Sequence, residues 1–344
     1  MKIVVLAGGL SPERDVSFSS GALIANALME NGHEVMLLDL FLGTDHPDFP
    51  PVFRKSGEAP PYSFQIPEKA PDLAAVRAMS PDPESLIGPG ILEHCRAADA
   101  AFLALHGSIG ENGQLQALLD LWGIRYTGTG SVGSMLAMDK DLSKQLLRAN
   151  GILTPNWKRL DLSTGTPPEG ISFPCVVKPC GCGSSVGVTM VEEPSGLRSA
   201  LEEAKKYEDA VLIEEKIEGR EFSVGILDGK ALPVIEIRPL AGFYDYKNKY
   251  QQGLTEEICP AQIPDSLREL LQRSAEEVHR VLRLGFYSRV DFLADEEGRA
   301  FCLEANTLPG MTPQSLLPQE ARAAGISYRE LCEKIVRAAG GPRR

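Results

Sequence analysis

Two short segments constrain this chain more than any others: Ser288-Arg289-Val290-Asp291-Phe292 and Leu303-Glu304-Ala305-Asn306-Thr307. In both, apolar and polar residues alternate, the period of a half-buried strand. The link Asp295-Glu296-Glu297-Gly298 is turn chemistry. A hairpin centred on Glu297-Gly298 sets Arg289 opposite Asn306 and Asp291 opposite Glu304. Residues two apart share a face, so all four side chains project from one side of the ribbon. Two carboxylates directly opposite repel, which is tolerable if a cation sits between them. Asp, Glu and Asn offer only oxygen, which suits Mg²⁺ rather than zinc. A solvated, charged face is the plainer reading of such alternation. Against it stands the next stretch, Leu308-Pro309-Gly310-Met311-Thr312, which is a tight loop and not a simple strand exit.

At 344 residues the chain is expected to hold two or three domains. Its net charge of −12 argues against a nucleic-acid surface but leaves room for a nucleotide site, which needs only a local cluster of Lys and Arg. The apolar run Ile3–Ala7 stops at Gly8-Gly9, too early for a signal core or a membrane span. The expectation is a cytoplasmic protein whose seven cysteines are free thiols, with no membrane partner.

Strand-like runs at 2–7, 35–38, 100–105 and 124–127 alternate with helical patterns at 16–30 and 114–121. The fold class is therefore α/β, beginning with a doubly wound parallel sheet whose ligands bind beyond the strand C-termini. That places Ser11–Ser17 and His106–Gly113 at a site. Residues 43–90 hold ten of the 25 prolines and little periodicity, and read as an insertion. One helix is expected over 134–148, then a hairpin of 175–178 with 188–191, a helix over 197–206, a strand at 211–213, a hairpin about Asp228-Gly229, and a long helix over 266–284. The expected domains are 1–130, 131–211 and 212–344.

Lys178 is followed by Pro179-Cys180-Gly181-Cys182-Gly183-Ser184-Ser185-Val186-Gly187. Glycine amides, the Ser184 and Ser185 hydroxyls and one lysine make a phosphate-covering loop, although no Gly-Lys-Ser/Thr closes it as a Walker loop. Val211-Leu212-Ile213 offers an apolar wall for adenine. The polar strand end that follows, with Glu214, Glu215 and Ile217, supplies hydrogen bonds, and Glu221 suits the ribose hydroxyls.

With these segments in hand, the chain resembles the ATP-grasp superfamily and, within it, the D-alanine–D-alanine ligase family. The resemblance runs from residue 2 to about 335, apart from most of 43–90. It is carried by Ser11-Pro12-Glu13-Arg14-Asp15-Val16-Ser17, Leu105-His106-Gly107, Met138-Asp139-Lys140, Gly183–Gly187, Phe243-Tyr244-Asp245-Tyr246 with Lys249-Tyr250, Arg289-Val290-Asp291, Leu303–Thr307 and Pro309–Thr312. It implies an enzyme that joins two D-alanines with ATP and Mg²⁺ or Mn²⁺, two ions in all, for peptidoglycan precursor synthesis, and it implies a homodimer. In that family Asp291, Glu304 and Asn306 correspond to the metal ligands. Lys140, Lys178 and Lys249 correspond to the cations on the triphosphate. Arg289 and the Gly310 amide correspond to the oxyanion stabilisers. Ser315 and Leu316 match the positions that hold the second D-alanine's carboxylate. Asp15 matches the position that receives the first substrate's ammonium, and His106 lies in the substrate site. Ser184, Tyr250 and Asp15 correspond to a hydrogen-bonded set that closes a mobile loop.

Three departures stand out. Asp15 replaces a usual Glu, Cys180-Gly181-Cys182 replaces polar residues, and Ser108-Ile109-Gly110 differs from the commonest loop. The alternatives are a ligase that uses D-serine or D-lactate as the second substrate, another ATP-grasp carboxylate–amine ligase, and a non-catalytic ATP-binding regulator. Tyr250 argues against the lactate type, Ser184 and Tyr250 against the other ligases, and the presence of Arg289 with both metal carboxylates against the regulator.

Overall fold

A computed structural model of the chain describes residues 1–46, 48–67, 71–163, 165, 169–183, 186–239 and 255–339. The chain divides into two compact units, each discontinuous in sequence. One comprises 1–134, 284–288 and 307 onward; the other comprises 135–283 and 289–306.

The first unit holds a parallel sheet of β1 (Lys2–Ala7), β2 (Glu34–Asp39) and β3 (Ala100–Leu103), ordered β2-β1-β3. Its centre is a near-continuous apolar run, with Ile3 through Ala7 at 0% exposure, as a sheet covered on both faces requires. The helix Arg14–Glu30 connects β1 to β2 and packs on both. Asp39, at the end of β2, accepts hydrogen bonds from the Gly9 and Phe41 amides and pairs with the buried Arg14 guanidinium. That clamp fixes the loop leading into the helix and thereby positions Asp15 in its first turn. The proline-rich insertion is folded onto this helix. Phe49 and Phe64 lie 4.9 and 5.1 Å from the Phe18 ring, and Arg54 bridges to Val35 on the sheet edge. The strand expected at 124–127 is reduced to a single bridge, Ala101 with Tyr126, because only Arg125 and Thr127 exchange backbone bonds with Ala101.

The second unit is built on two sheets. The first contains β4 (Trp157–Asp161), β5 (Cys175–Pro179), β6 (Thr189–Val191) and β7 (Ala210–Glu215), ordered β4-β7-β5-β6 and antiparallel throughout. Alternation divides its faces. Cys175, Val177, Val191, Val211 and Ile213 pack on Ala200, Leu201 and Ala204 of the helix Leu197–Ala204, while Val176, Lys178, Met190 and Glu214 face the other way. The second sheet contains β8 (Arg220–Leu227), β9 (Lys230–Ala231), β10 (Ile235–Pro239), β11 (Thr255–Ile258), β12 (Tyr287–Ala294) and β13 (Ala300–Asn306). Its order is β11-β10-β8-β12-β13, with β9 pairing β8. The helix Asp265–Val281 packs on β8, β9 and β13.

The single helix expected over 134–148 is two helices, Ser131–Met138 and Lys140–Ala149. Asp139 separates them: its backbone is extended and its carboxylate accepts from the Leu142 amide, capping the second helix.

Gly219 approaches the turn after β12 so closely that a Cβ there would lie 2.3 Å from the Ala294 carbonyl oxygen. We expect Gly219→Ala to destabilise the protein by about 1–3 kcal/mol, read as a lowered urea midpoint. An unchanged midpoint would show that the backbone yields at no cost.

Candidate active site

The strands β12 and β13 pair with Arg289 opposite Asn306 and Asp291 opposite Glu304, as their alternation predicts. Nearer the turn the register changes: Phe292 faces Cys302 and Ala294 faces Ala300. The extra residue is taken up as a β-bulge at Leu303. A bulge re-aims side chains, and here two sequence neighbours, Leu303 and Glu304, both face the same cavity as Asp291 and Leu293.

That cavity lies wholly within the second unit and has a volume of about 680 Å³, the size of a small-molecule site. Val176, Met190, Ile217, Leu293 and Leu303 supply apolar wall, and Lys140, Lys178, Glu214, Glu215 and Glu221 supply polar groups. Eight of the residues expected from sequence at the nucleotide and metal therefore converge on it: Lys140, Lys178, Glu214, Glu215, Ile217, Glu221, Asp291 and Glu304.

The charges are closely matched. The Lys140 ammonium donates to the Cys182 carbonyl at 2.6 Å and lies 3.5 Å from Glu304. Glu214, only 3% exposed, lies 2.9 Å from Lys178 and 3.0 Å from Lys144. Burial alone would raise the Glu214 pKa, but Lys178 and Lys144 outweigh it and hold the carboxyl below its ordinary value. Burial lowers the Lys144 pKa as well, to about 8, despite the opposing pull of Glu214. Asp291 accepts from both Nε and Nη2 of Arg289 at 2.9 and 2.8 Å, from Ser223 at 2.7 Å and from the Asn306 amide at 2.9 Å. The repulsion expected of the facing carboxylates is thus answered by Arg289 on one side and Lys140 on the other. Glu215 lies on the strand edge, where Asn156 donates to it at 2.6 Å.

Among the described residues, no three or more His, Cys, Asp and Glu gather as a metal site. The oxygen donors on the hairpin are two carboxylates and the Asn306 amide, a set that fits a hard divalent cation completing its shell with phosphate and water. The sequence reading overlooked Lys144, one helical turn beyond Lys140, and Ser223, which braces Asp291. The i, i+4 spacing of the two lysines was the available signal for the first; nothing local marked the second.

The first unit presents a separate group. Asp15 is half-buried, and burial raises its pKa against the opposing pull of Arg14. His106 is buried with Nδ1 3.2 Å from the Leu308 carbonyl. Glu111, also overlooked, accepts from the Gly107 amide at 2.7 Å and the Leu308 amide at 3.1 Å, so it ties the His106 loop to the 308–312 loop. Gly310 packs on Ser315, where a Cβ would meet the hydroxyl at 2.9 Å. Ser315 caps the helix Leu316–Ala323 by position, and its hydroxyl bonds Thr312 and makes no cap bond to the helix. Ser184, Ser185, Lys249 and Tyr250 lie outside the described residues.

A unit with a parallel sheet and a second unit whose two sheets line a cavity with lysines and carboxylates define an ATP-grasp protein. Two family models match: D-ala D-ala ligase N-terminus over residues 2–129 and D-ala D-ala ligase C-terminus over 147–337. The D-alanine–D-alanine ligase of Pediococcus pentosaceus is 44% identical over 98% of this chain and 97% of its own. That of Geobacter sulfurreducens is 40% identical over 97% and 93%. A crystal structure of D-alanine–D-alanine ligase from Bacillus anthracis complexed with ATP superposes with a TM-score of 0.77 at 31% identity, covering 98% of this chain and 97% of that one. The chain belongs to the D-alanine–D-alanine ligase family.

None of the seven cysteines is in a disulfide. Cys182 is half-buried and lines the cavity, whereas Cys180 is 4% exposed. Burial raises both thiols above their ordinary pKa, so little thiolate is present at neutral pH. We expect maleimide to label Cys182 slowly at pH 7, faster as pH rises through 9, and more slowly with ATP bound. Rapid labelling at pH 7, equal with and without ATP, would remove Cys182 from the cavity wall. Cys182→Ser identifies the labelled site.

Proposed function

We infer that this chain is an ADP-forming ligase that joins two D-alanines into D-alanyl-D-alanine, a step of peptidoglycan precursor synthesis. The observation that carries the reading is the 680 Å³ cavity of the second unit, where Lys140, Lys178, a carboxylate-bearing hairpin and an apolar wall meet. The alternatives with D-serine or D-lactate as acceptor, or with another ATP-grasp chemistry, are not favoured by the two relatives described above, both D-alanine–D-alanine ligases.

In this reading ATP lies in the cavity. Its adenine rests on the apolar wall beside Glu214, Glu215 and Ile217, its ribose faces Glu221, and its phosphates face Lys140, Lys178, Lys249 and Ser185. Asp291, Glu304 and Asn306 would hold Mg²⁺ or Mn²⁺, two ions in all, which neutralise charge on the phosphate oxygens. A carboxylate oxygen of the first D-alanine attacks the γ-phosphorus, and ADP leaves. The amine nitrogen of the second D-alanine, having lost a proton, then attacks the acyl-phosphate carbon, and the tetrahedral species expels inorganic phosphate. Arg289 and the Gly310 amide stabilise its oxyanion. Asp15 receives the first ammonium, with Ser184 and Tyr250 in the same hydrogen-bonded set. His106 lies by the substrates, and Ser315 with the Leu316 amide holds the second carboxylate, as a helix N-terminus favours.

We assign the Rossmann-like domain with its proline-rich insertion to residues 1–130, the central ATP-grasp subdomain with the phosphate-covering loop to 131–211, and the C-terminal subdomain with the metal hairpin to 212–344. A cytoplasmic location follows from the need for ATP; among the described residues no helix is long and apolar enough to cross a membrane. A homodimer is inferred from the family resemblance, and no nucleic-acid partner from the net charge of −12.

The test is coupled ADP release with D-alanine, and chromatography of the product. D-alanyl-D-alanine should form in proportion to ADP, with no turnover on L-alanine and none in EDTA. ADP release without dipeptide would overturn the reading. Asp291→Asn and Glu304→Gln should each lower kcat by about 100- to 1,000-fold while the circular dichroism spectrum stays native. Near-normal turnover in either variant would sink the metal assignment.

A further inference from the structure

Lys144 is the most deeply buried lysine of the described residues, at 1% exposure, and the mechanism above gives it no task. It does not line the cavity. Its ammonium donates to the Thr154 hydroxyl at 2.6 Å, sits 5.2 Å from the Trp157 ring centroid and lies 3.0 Å from Glu214 Oε1. Trp157 is itself fixed, donating to Asp141 at 2.6 Å. An ammonium held on three sides and placed behind a cavity carboxylate is an expensive arrangement for packing alone, since a buried cation needs compensation for lost hydration.

Glu214 shows what the arrangement does. Its Oε2 is taken by Lys178. Its Oε1 is near enough to Lys144 for an ion pair, yet no donor meets it along a hydrogen-bonding direction. Oε1 is wholly buried on the Lys144 side, so the carboxylate meets the cavity from the Oε2 side, where Lys178 also lines the wall and Oε2 keeps a second lone pair for a ligand's donor. While ionised the carboxylate only accepts; once protonated it also donates.

We propose that Lys144 is a positioning residue that sets base specificity: it holds Glu214 ionised and oriented, so that the cavity accepts a 6-aminopurine and rejects a 6-oxopurine. An amino group at the 6-position donates to the carboxylate. An oxo group at that position sets two acceptors against each other and leaves both without a hydrogen bond. The charged and titratable groups around Glu214 are Lys144 from the helix Lys140–Ala149 and Lys178 from β5, with Cys302 of β13 close to both lysines. Of these, Lys144 alone acts on Oε1 without reaching the phosphate side of the cavity. The proposal rests on the assignment of ATP to this cavity.

Inosine triphosphate differs from ATP at the 6-position, oxo for amino, and at N1, which then carries a proton; the N1 difference is common to wild type and variants, so the change in the ratio between them reads the 6-position. The experiment compares kcat/KM for the two nucleotides in wild type, Lys144→Met, Lys144→Arg and Thr154→Val, with D-alanine saturating. Wild type should favour ATP strongly. In Lys144→Met the ATP-to-ITP ratio should fall by about tenfold or more, through a higher KM for ATP and a lower KM for ITP, with kcat for ATP changed far less. Lys144→Arg should restore most of the ratio, and Thr154→Val, which removes one anchor of the ammonium, should fall between. A merely structural role would weaken both nucleotides together and leave the ratio unmoved, and that result in Lys144→Met or Thr154→Val overturns the proposal. If Lys144→Met does not fold, Thr154→Val alone decides it. Failure of wild type to use ATP would instead overturn the assignment of the cavity.

Discussion

Strand alternation is the constraint on which the second unit depends. Each antiparallel strand must send successive side chains to opposite faces, so a sheet that buries one face under a helix has a second face to dispose of. In β5 and β7 the helix side is Cys175, Val177, Val211 and Ile213, and the side left over is Val176, Lys178 and Glu214. The same division in β12 gives Val290 and Phe292 to the core and Asp291 and Leu293 to the cavity. The site is thus the complement of the hydrophobic core, and its polar groups lie on the stiffest backbone available.

Stiff backbone alone would leave costly charges, and the compensation is local. Glu214 and Asp291 are almost wholly buried, and each is met by at least one cation and a second partner: two lysines for Glu214, and Arg289 with Ser223 and Asn306 for Asp291. Breaking one side of such a buried set generally costs more than its net contribution, because the remaining charge is stranded. The same logic operates in the first unit, where Asp39 gathers Arg14 and two backbone amides, and Glu111 gathers the amides of Gly107 and Leu308. In the first unit these carboxylates fix the loops that carry the proposed substrate residues; in the second, Glu214 and Asp291 fix side chains of the cavity wall.

Much of this was legible in the sequence because it rests on short-range patterns. The pairing of Asp291 with Glu304 followed from alternation and turn chemistry, and the parallel sheet from apolar runs separated by a helix. The reading nevertheless reached the right pairs through a hairpin one residue too wide; the bulge at Leu303 compensates, and no local pattern announces a bulge. The helix over 134–148 was misread because Met135, Leu136, Met138, Leu142, Leu146 and Leu147 keep a helical period across Asp139, whose capping preference the period conceals. The strand at 124–127 failed for a different reason: Ile124-Arg125-Tyr126-Thr127 has strand composition, but only Ala101 offers it a partner.

What could not be read were contacts between residues far apart in the chain. Lys144 meets Glu214 across 70 positions and Ser223 meets Asp291 across 68. A lysine on an amphipathic helix looks the same in sequence whether it faces water or a carboxylate. Its neighbour Lys140, equally unremarkable by composition, was recognised only through the Met138-Asp139-Lys140 motif. The distinction appears once the helix Lys140–Ala149 is set against β5 and β7, because Lys140, at its start, lies at the cavity wall and Lys144, one turn on, lies behind it. Two identical side chains four residues apart thereby take different electrostatic tasks: one meets the phosphate-covering loop, and the other acts only through the carboxylate in front of it.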